Sequence, residues 1–241
     1  MATFLKLENP PIKEIIFTIS YNEIIDDDGL ERFVNEPKIK DDFKVVHKSI
    51  KKQIQFNSAS DSAKLSNLHD GFILTSPNKK IIQIKKGAFS FHKVDGYSSF
   101  DELYNNMIEY WELLDKSTSD DLIVNNISVR YINLILKDEF EKNEDVLTIY
   151  TKSEFEEEVQ SFRNYISFKH KLDKFLQINI FTANEENQNG IVLDITLTKA
   201  ITQKNSCKEF YGDLQKFRNI KNEVFFKCLT EKTIKKLNHV K

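Results

Sequence analysis

The hydrophobic pattern predicts an α+β fold: two structurally similar βαβββα halves, a mostly antiparallel sheet, and two long helices packed on one face in a saddle-like or helix-grip-like arrangement. Three observations carry this prediction. Runs rich in β-branched residues alternate apolar and polar positions and are separated by short turn signals, which favours hairpins and antiparallel pairing. Two Ser-x-x-Glu capping boxes, Ser99-Phe-Asp-Glu102 and Ser206-Cys-Lys-Glu209, each open a long apolar stripe at helical spacing. The order strand, short helix, three strands, long capped helix occurs twice, over about residues 12–116 and 122–229, without a residue-level repeat. The chain therefore divides into halves 1–119 and 120–241. No flexible linker separates them, so one continuous domain with a shared sheet is the alternative.

Asn9-Pro10-Pro11 is a stiff lead-in, because proline cannot donate to a ladder. Residues 12–21 read as a strand with Glu14 among apolar neighbours. Asp26-Asp27-Asp28 before a short apolar pattern is a helix start, the carboxylates accepting from free N–H groups. Residues 43–56 read as a long strand, and the polar stretch 58–69 as a loop. Two strands follow, 71–76 and 80–93, joined by Pro77-Asn78, with Gly87 marking a bulge in the second. Phe100, Leu103, Tyr104, Met107, Trp111 and Leu114 then make the clearest amphipathic helix in the chain.

The second half opens with the most apolar run, Ile127-Ser-Val-Arg-Tyr-Ile-Asn-Leu-Ile-Leu136, a central strand. Alternation places Val129, Tyr131 and Asn133 on one face and Ser128, Arg130 and Ile132 on the other. An acidic loop over 139–145 and a helix start at Ser153-Glu-Phe-Glu156 come next. Strands follow over 162–170, 175–183 and 191–197, with Asn189-Gly190 as a turn pair between the last two. Phe210, Leu214, Phe217, Val224, Phe225 and Cys228 complete the second long helix.

Composition narrows function mainly by exclusion. A net charge of -2 gives no global attraction to nucleic acid or to a membrane surface. No apolar run approaches the length of a membrane span, and the N-terminus lacks a signal-peptide core, so a cytoplasmic protein is expected. Cys207 and Cys228 fit no zinc or redox spacing and read as buried free thiols, as in a reducing compartment. The five histidines show no metal-ligand spacing, and there is neither a Gly-rich phosphate loop nor a nucleophile elbow, so no metal, cofactor or catalytic residue is assigned. His69-Asp70 reads as an exposed turn pair.

Two groups of residues remain as candidates. Arg130 and Glu14 each stand in line with aliphatic side chains, and a buried charge needs a partner. We expect them on neighbouring strands, paired directly or through one intervening group, as a structural ion pair or an anion site that includes Asn133 and Asp194. Glu14 with Asp194 is the carboxylate pair that a phosphotransfer or nuclease role would use. The second group is Lys48, Lys52, Lys85, Phe89, Phe91 and Lys93, where lysines interleaved with outward aromatics would bind single-stranded nucleic acid by stacking. Against this, lysines protect sheet edges and phenylalanines fill cores.

Asn9-Pro10-Pro11-Ile12 with Glu14, Tyr110-Trp111, Arg130-Tyr131-Ile132-Asn133 and Leu193-Asp194-Ile195 together resemble a sporadically distributed bacterial protein family of about this chain length. Asn126 and Ser128 depart from it, standing where many members carry an arginine or a glycine. The resemblance implies carriage on mobile elements, beside defence or toxin–antitoxin genes. The expectation is thus a non-catalytic interaction protein, working as a homodimer or with a protein encoded by a neighbouring gene. The alternatives are an enzyme or small-ligand binder with a cleft near Arg130, and a single-stranded nucleic-acid binder.

Overall fold

The computed structural model describes residues 7–22, 25–57, 62–97, 99–118, 122–136, 140, 142–149, 161–170, 174–185, 188–204 and 207–238. The strands are β1 (Ile12–Tyr21), β2 (Val45–Asn57), β3 (Ser62–Thr75), β4 (Lys80–Lys85), β5 (Ala88–Val94), β6 (Ile123–Leu136), β7 (Arg163–His170), β8 (Lys174–Glu185) and β9 (Gln188–Lys204). The helices are α1 (Asp27–Asn35), α2 (Pro37–Asp42), α3 (Phe100–Ser117), α4 (Asn143–Val146), α5 (Cys207–Cys228) and α6 (Glu231–Leu237). The architecture is α+β. All nine strands form one antiparallel sheet, in the order β2-β3-β4-β5-β1-β6-β9-β8-β7. Its central pair, β1 with β6, joins strands from the two halves of the chain.

The alternation of each strand sorts its side chains. In the middle of the sheet Ile15 stands opposite Tyr131 and Phe17 opposite Val129, all buried, while Ile16 stands opposite Arg130 and Thr18 opposite Ser128 on the other face. The buried face carries the core. Phe100 of α3 meets the Phe17 ring at 5.8 Å, Trp111 meets Phe89 at 5.7 Å and Tyr21 at 5.8 Å, and Tyr110 meets Phe91 at 5.9 Å. Lys221 of α5 lies over the Tyr131 ring on the same face. Aromatic residues at helical spacing thus form the inner stripe of α3, and its start is fixed by Ser99 Oγ accepting from the Glu102 N–H at 3.2 Å. Asp26 caps α1 in the same way, accepting from the Gly29 N–H at 2.7 Å.

Several elements differ from the sequence-based expectation. The polar stretch 58–69 is not a loop throughout: β3 begins at Ser62 and pairs with β2 from there. A polar run lacks the hydrophobic alternation that signals a strand, yet its backbone ladder is complete. Residues 80–93 are two strands. Gly87 sits with Lys86 in a two-residue hairpin turn, and the turn is fastened by the Tyr21 N–H to Gly87 O at 3.1 Å and the Ile25 N–H to Lys86 O at 2.9 Å. Four strands therefore separate α2 from α3. The acidic stretch 139–145 contains the start of α4.

Asn189-Gly190 is strand, not turn: Asn189 pairs with Asn184, and Gly190 pairs with Ala183 and Leu136. Glycine is needed there for close approach, since a Cβ would stand 2.7 Å from Leu134 Cδ1 and 3.0 Å from Ile135 O. Gly71 on β3 is tighter still, at φ +152°, where a Cβ would meet Ile84 O at 1.9 Å. The helix start at 153–156 and Ser206 of the second capping box lie outside the described residues.

Candidate functional site

The centre of the other sheet face gathers the charged residues that the sequence singled out. Pairing of Ile16 with both Arg130 and His92, of Glu14 with Ile132, and of Ile132 with Asp194 places Glu14, His92, Arg130 and Asp194 on this one face across β5, β1, β6 and β9. Four strands hold them because every second residue of a pleated strand points the same way.

Arg130 and Asp194 form a forked pair: Nε donates to Oδ1 at 2.9 Å and Nη2 to Oδ2 at 2.7 Å. The Asp194 side chain is 6% exposed and that of Arg130 43%, so the carboxylate is buried while one edge of the guanidinium reaches solvent. The Asp194 hydrogen bonds hold the guanidinium above its ordinary pKa range, against the opposing effect of partial burial; Glu14 adds an attraction through space. One strand pair away, His92 Nδ1 donates to Glu14 Oε1 at 2.7 Å. Both pairs are diagonal across their strand pair, a reach that long side chains make easily. Thr18 and Ser90 complete the row, their hydroxyls 3.0 Å apart.

Arg130 and Glu14 thus lie on neighbouring strands and one face, but each has a partner of its own. The reason is geometric. Asp194 offers a nearly buried carboxylate in the orientation that matches the guanidinium fork, and His92 reaches Glu14 from the opposite neighbour. Glu14 and Asp194 are consequently not a carboxylate pair. Asn133 belongs to the opposite face: it is 1% exposed, and its Nδ2 donates to Leu193 O at 2.9 Å, stitching β6 to β9.

The basic and aromatic group does not assemble. Phe89 and Phe91 are both 0% exposed, enclosed by Trp111 and Tyr110, and cannot stack on bases. The hairpin at Lys86-Gly87 explains the error. Reading 80–93 as one strand put Lys85 in phase with both phenylalanines, whereas the turn pairs Lys85 with Ala88 and shifts the phase by one. Lys48 sits over the Phe72 ring, 3.8 Å from Glu31, and Lys93 donates to Asn78 O at 2.8 Å, so these two lie toward the helices while Lys85 does not. Lys52 is exposed on β2.

Sequence reading missed His92. The signal was there, because alternation opposes His92 to Phe91 once the hairpin is recognised. His69 was read as an exposed turn residue; it lies on β3 with its Nδ1 3.1 Å from Asp27 Oδ1, and Lys86 and His69 together hold the Asp27 carboxyl below its ordinary range.

Chemically, the central cluster offers a guanidinium–carboxylate pair and an imidazole–carboxylate pair. His92 Nε2 is buried and has no hydrogen-bond partner among the described residues. The Thr18 and Ser90 hydroxyls bond each other. No three His, Cys, Asp or Glu side chains among the described residues converge as metal ligands. No described helix is long and apolar enough to cross a membrane. Comparison with protein-family models found no match to this chain, and comparison with curated proteins found none either.

Proposed function

We propose that the protein is a non-catalytic interaction protein and that its partner, another protein, seats on the sheet face that carries Arg130. One observation carries this reading. At the centre of that face Arg130 is paired with Asp194 and Glu14 is hydrogen-bonded to His92, while Val45, Leu136, Tyr165 and Phe175 stand exposed on the same face. Covering such a surface removes apolar area from water without stranding the charged groups at its centre, a combination that suits protein contact.

Two partners fit: a second copy of this chain, or a protein encoded beside it. The family resemblance favours a mobile defence or toxin–antitoxin-like pair. The buried free thiol of Cys228, pushed up to about 11 by burial, accords with a reducing cytoplasmic setting. The sheet order supports division of the chain into halves 1–119 and 120–241. Running outward from the centre, β1-β5-β4-β3 in the first corresponds to β6-β9-β8-β7 in the second, with β2 as an added edge. In this scheme α3 and α5 are equivalent long helices on one face of a saddle-like sheet.

The test is co-purification of an untagged neighbouring gene product with the tagged protein, with light scattering to measure oligomeric state. Tyr165→Glu combined with Phe175→Glu is expected to abolish the association while the fold is kept. A monomer that captures nothing overturns the reading. It would favour a small-ligand site at Arg130, for which the solvent-facing edge of the guanidinium and a His92 Nε2 without a hydrogen-bond partner among the described residues are the supporting observations.

A further inference from the structure

The inner stripe of α5 is interrupted by a charge. Phe210, Leu214, Phe217 and Phe225 are buried at helical spacing, and Lys221 occupies the same stripe, itself only 8% exposed. Its ammonium lies 4.2 Å from the centroid of the Tyr131 ring, on the central strand β6. The Tyr131 hydroxyl is fully enclosed and has no hydrogen-bond partner among the described residues. One turn earlier on α5, Arg218 lies over the Phe100 ring at the start of α3, 5.6 Å from its centroid.

These groups act on one another. Arg218 adds to the burial that pushes the Lys221 ammonium down to about 7, and it acts on Tyr97, in the connection from β5 to α3, and on Tyr131. Among the described residues no carboxylate forms an ion pair with Arg218 or Lys221. The carboxylate that acts on Tyr97 is Asp101, and it already accepts from Tyr211 at 2.7 Å and from Gln215 at 3.3 Å. Arg218 and Lys221 thus lie one turn apart on α5, Lys221 against the ring of a buried phenol, and among the described residues neither has a carboxylate partner.

We propose that this seam binds a small tetrahedral oxyanion of the phosphate class, with Arg218 and Lys221 supplying the charge and the Tyr131 hydroxyl donating to one of its oxygens. The assignment follows from the donor set, since a guanidinium, an ammonium and a phenol are all donors to an anion. Enclosure of Lys221 and Tyr131 restricts the occupant to a small ion rather than the end of a large ligand. This site is on the opposite side of the sheet from the Arg130 face and is independent of the partner proposed there.

The test is thermal unfolding of the intact protein with inorganic phosphate and with sodium chloride at matched ionic strength, followed by titration of phosphate by calorimetry. Phosphate is expected to raise the melting temperature saturably and chloride is not. Arg218→Met and Lys221→Met are each expected to weaken phosphate binding roughly tenfold or more, the loss of one charge-assisted hydrogen bond. Lys221→Met removes an unmatched buried charge, so it folds at least as well as the parent, and circular dichroism checks this. Equal stabilisation by chloride, or unchanged phosphate affinity in both variants, overturns the proposal.

Discussion

The centres of the two sheet faces handle charge differently. On the Arg130 face, polar side chains sit in the middle of the sheet and are partnered across a strand pair, Arg130 by the Asp194 carboxylate and Glu14 by a hydrogen bond with His92. On the helix-covered face, aromatic rings exclude water and the single charge in the stripe, Lys221, rests against a ring rather than a carboxylate. Adjacent strands supply complementary residues at fixed spacing, so a sheet face can neutralise charge within itself. Where α5 crosses Tyr131 no carboxylate among the described residues takes that role, although elsewhere on this face Asp213 of α5 reaches Lys199 and Glu31 of α1 reaches Lys48. Mismatch survives there through the weaker attraction of a π face, at a cost that shows in the lowered pKa.

The largest expected effect tests the packing side of this contrast. Phe91→Ala on the covered face should cost about 3–5 kcal/mol in denaturant melts, and Ile16→Ala, half-buried one strand over on the other face, markedly less. Similar losses at both positions would mean that the Arg130 face is covered as fully as the core.

Next comes the matched charge. Arg130→Met leaves the 6%-exposed Asp194 carboxylate without its partner and should cost about 3 kcal/mol. Adding Asp194→Leu should recover much of that loss, giving a coupling of about 1 kcal/mol or more in a double-mutant cycle. The same cycle between Arg130→Met and Glu14→Leu should show a smaller coupling, because those residues bond different partners and act on each other only through space. Strong Arg130–Glu14 coupling would refute the two-pair description.

The unmatched charge gives a smaller, pH-dependent effect. Lys221 titrates at about 7 in the fold, below its unfolded value, so between these values the unfolded chain binds more protons. Stability then rises with pH above 7, by at most about 1.4 kcal/mol per pH unit from this group. The groups facing it are Arg218 on its own helix and Tyr131 on β6, whose hydroxyl is held above its ordinary range by burial. Lys221→Met should flatten this slope between pH 7 and 9 and stabilise the protein most below pH 7, as melts across that range would report. An unchanged slope would place the titration elsewhere.

Much of the architecture was legible in the residues themselves. The β-branched alternation of β1 and β6 fixed which side chains share a face, and the Ser99 box and the Phe100–Trp111 stripe located α3 and its inner side. These are local, periodic signals, and a period of two or of 3.6 survives in any context. What the chain alone left open depends on contacts distant in sequence. Whether Gly87 turns or bulges is decided by Tyr21 and Ile25, which fasten the hairpin from more than sixty residues away, and that choice moved Lys85 out of phase with Phe89 and Phe91.

Partner choice is of the same kind. Composition says that Arg130 needs a carboxylate; only the order β5-β1-β6-β9 decides that Asp194 takes it and His92 takes Glu14. Lys221 was invisible for the converse reason. A lysine inside an amphipathic stripe is ordinarily a snorkelling side chain, and only the placement of α5 over Tyr131 encloses it. Sequence determines which positions face which way along each element. Tertiary structure determines which elements become neighbours, and charge, whose energy depends on distance and burial, acquires its meaning only then.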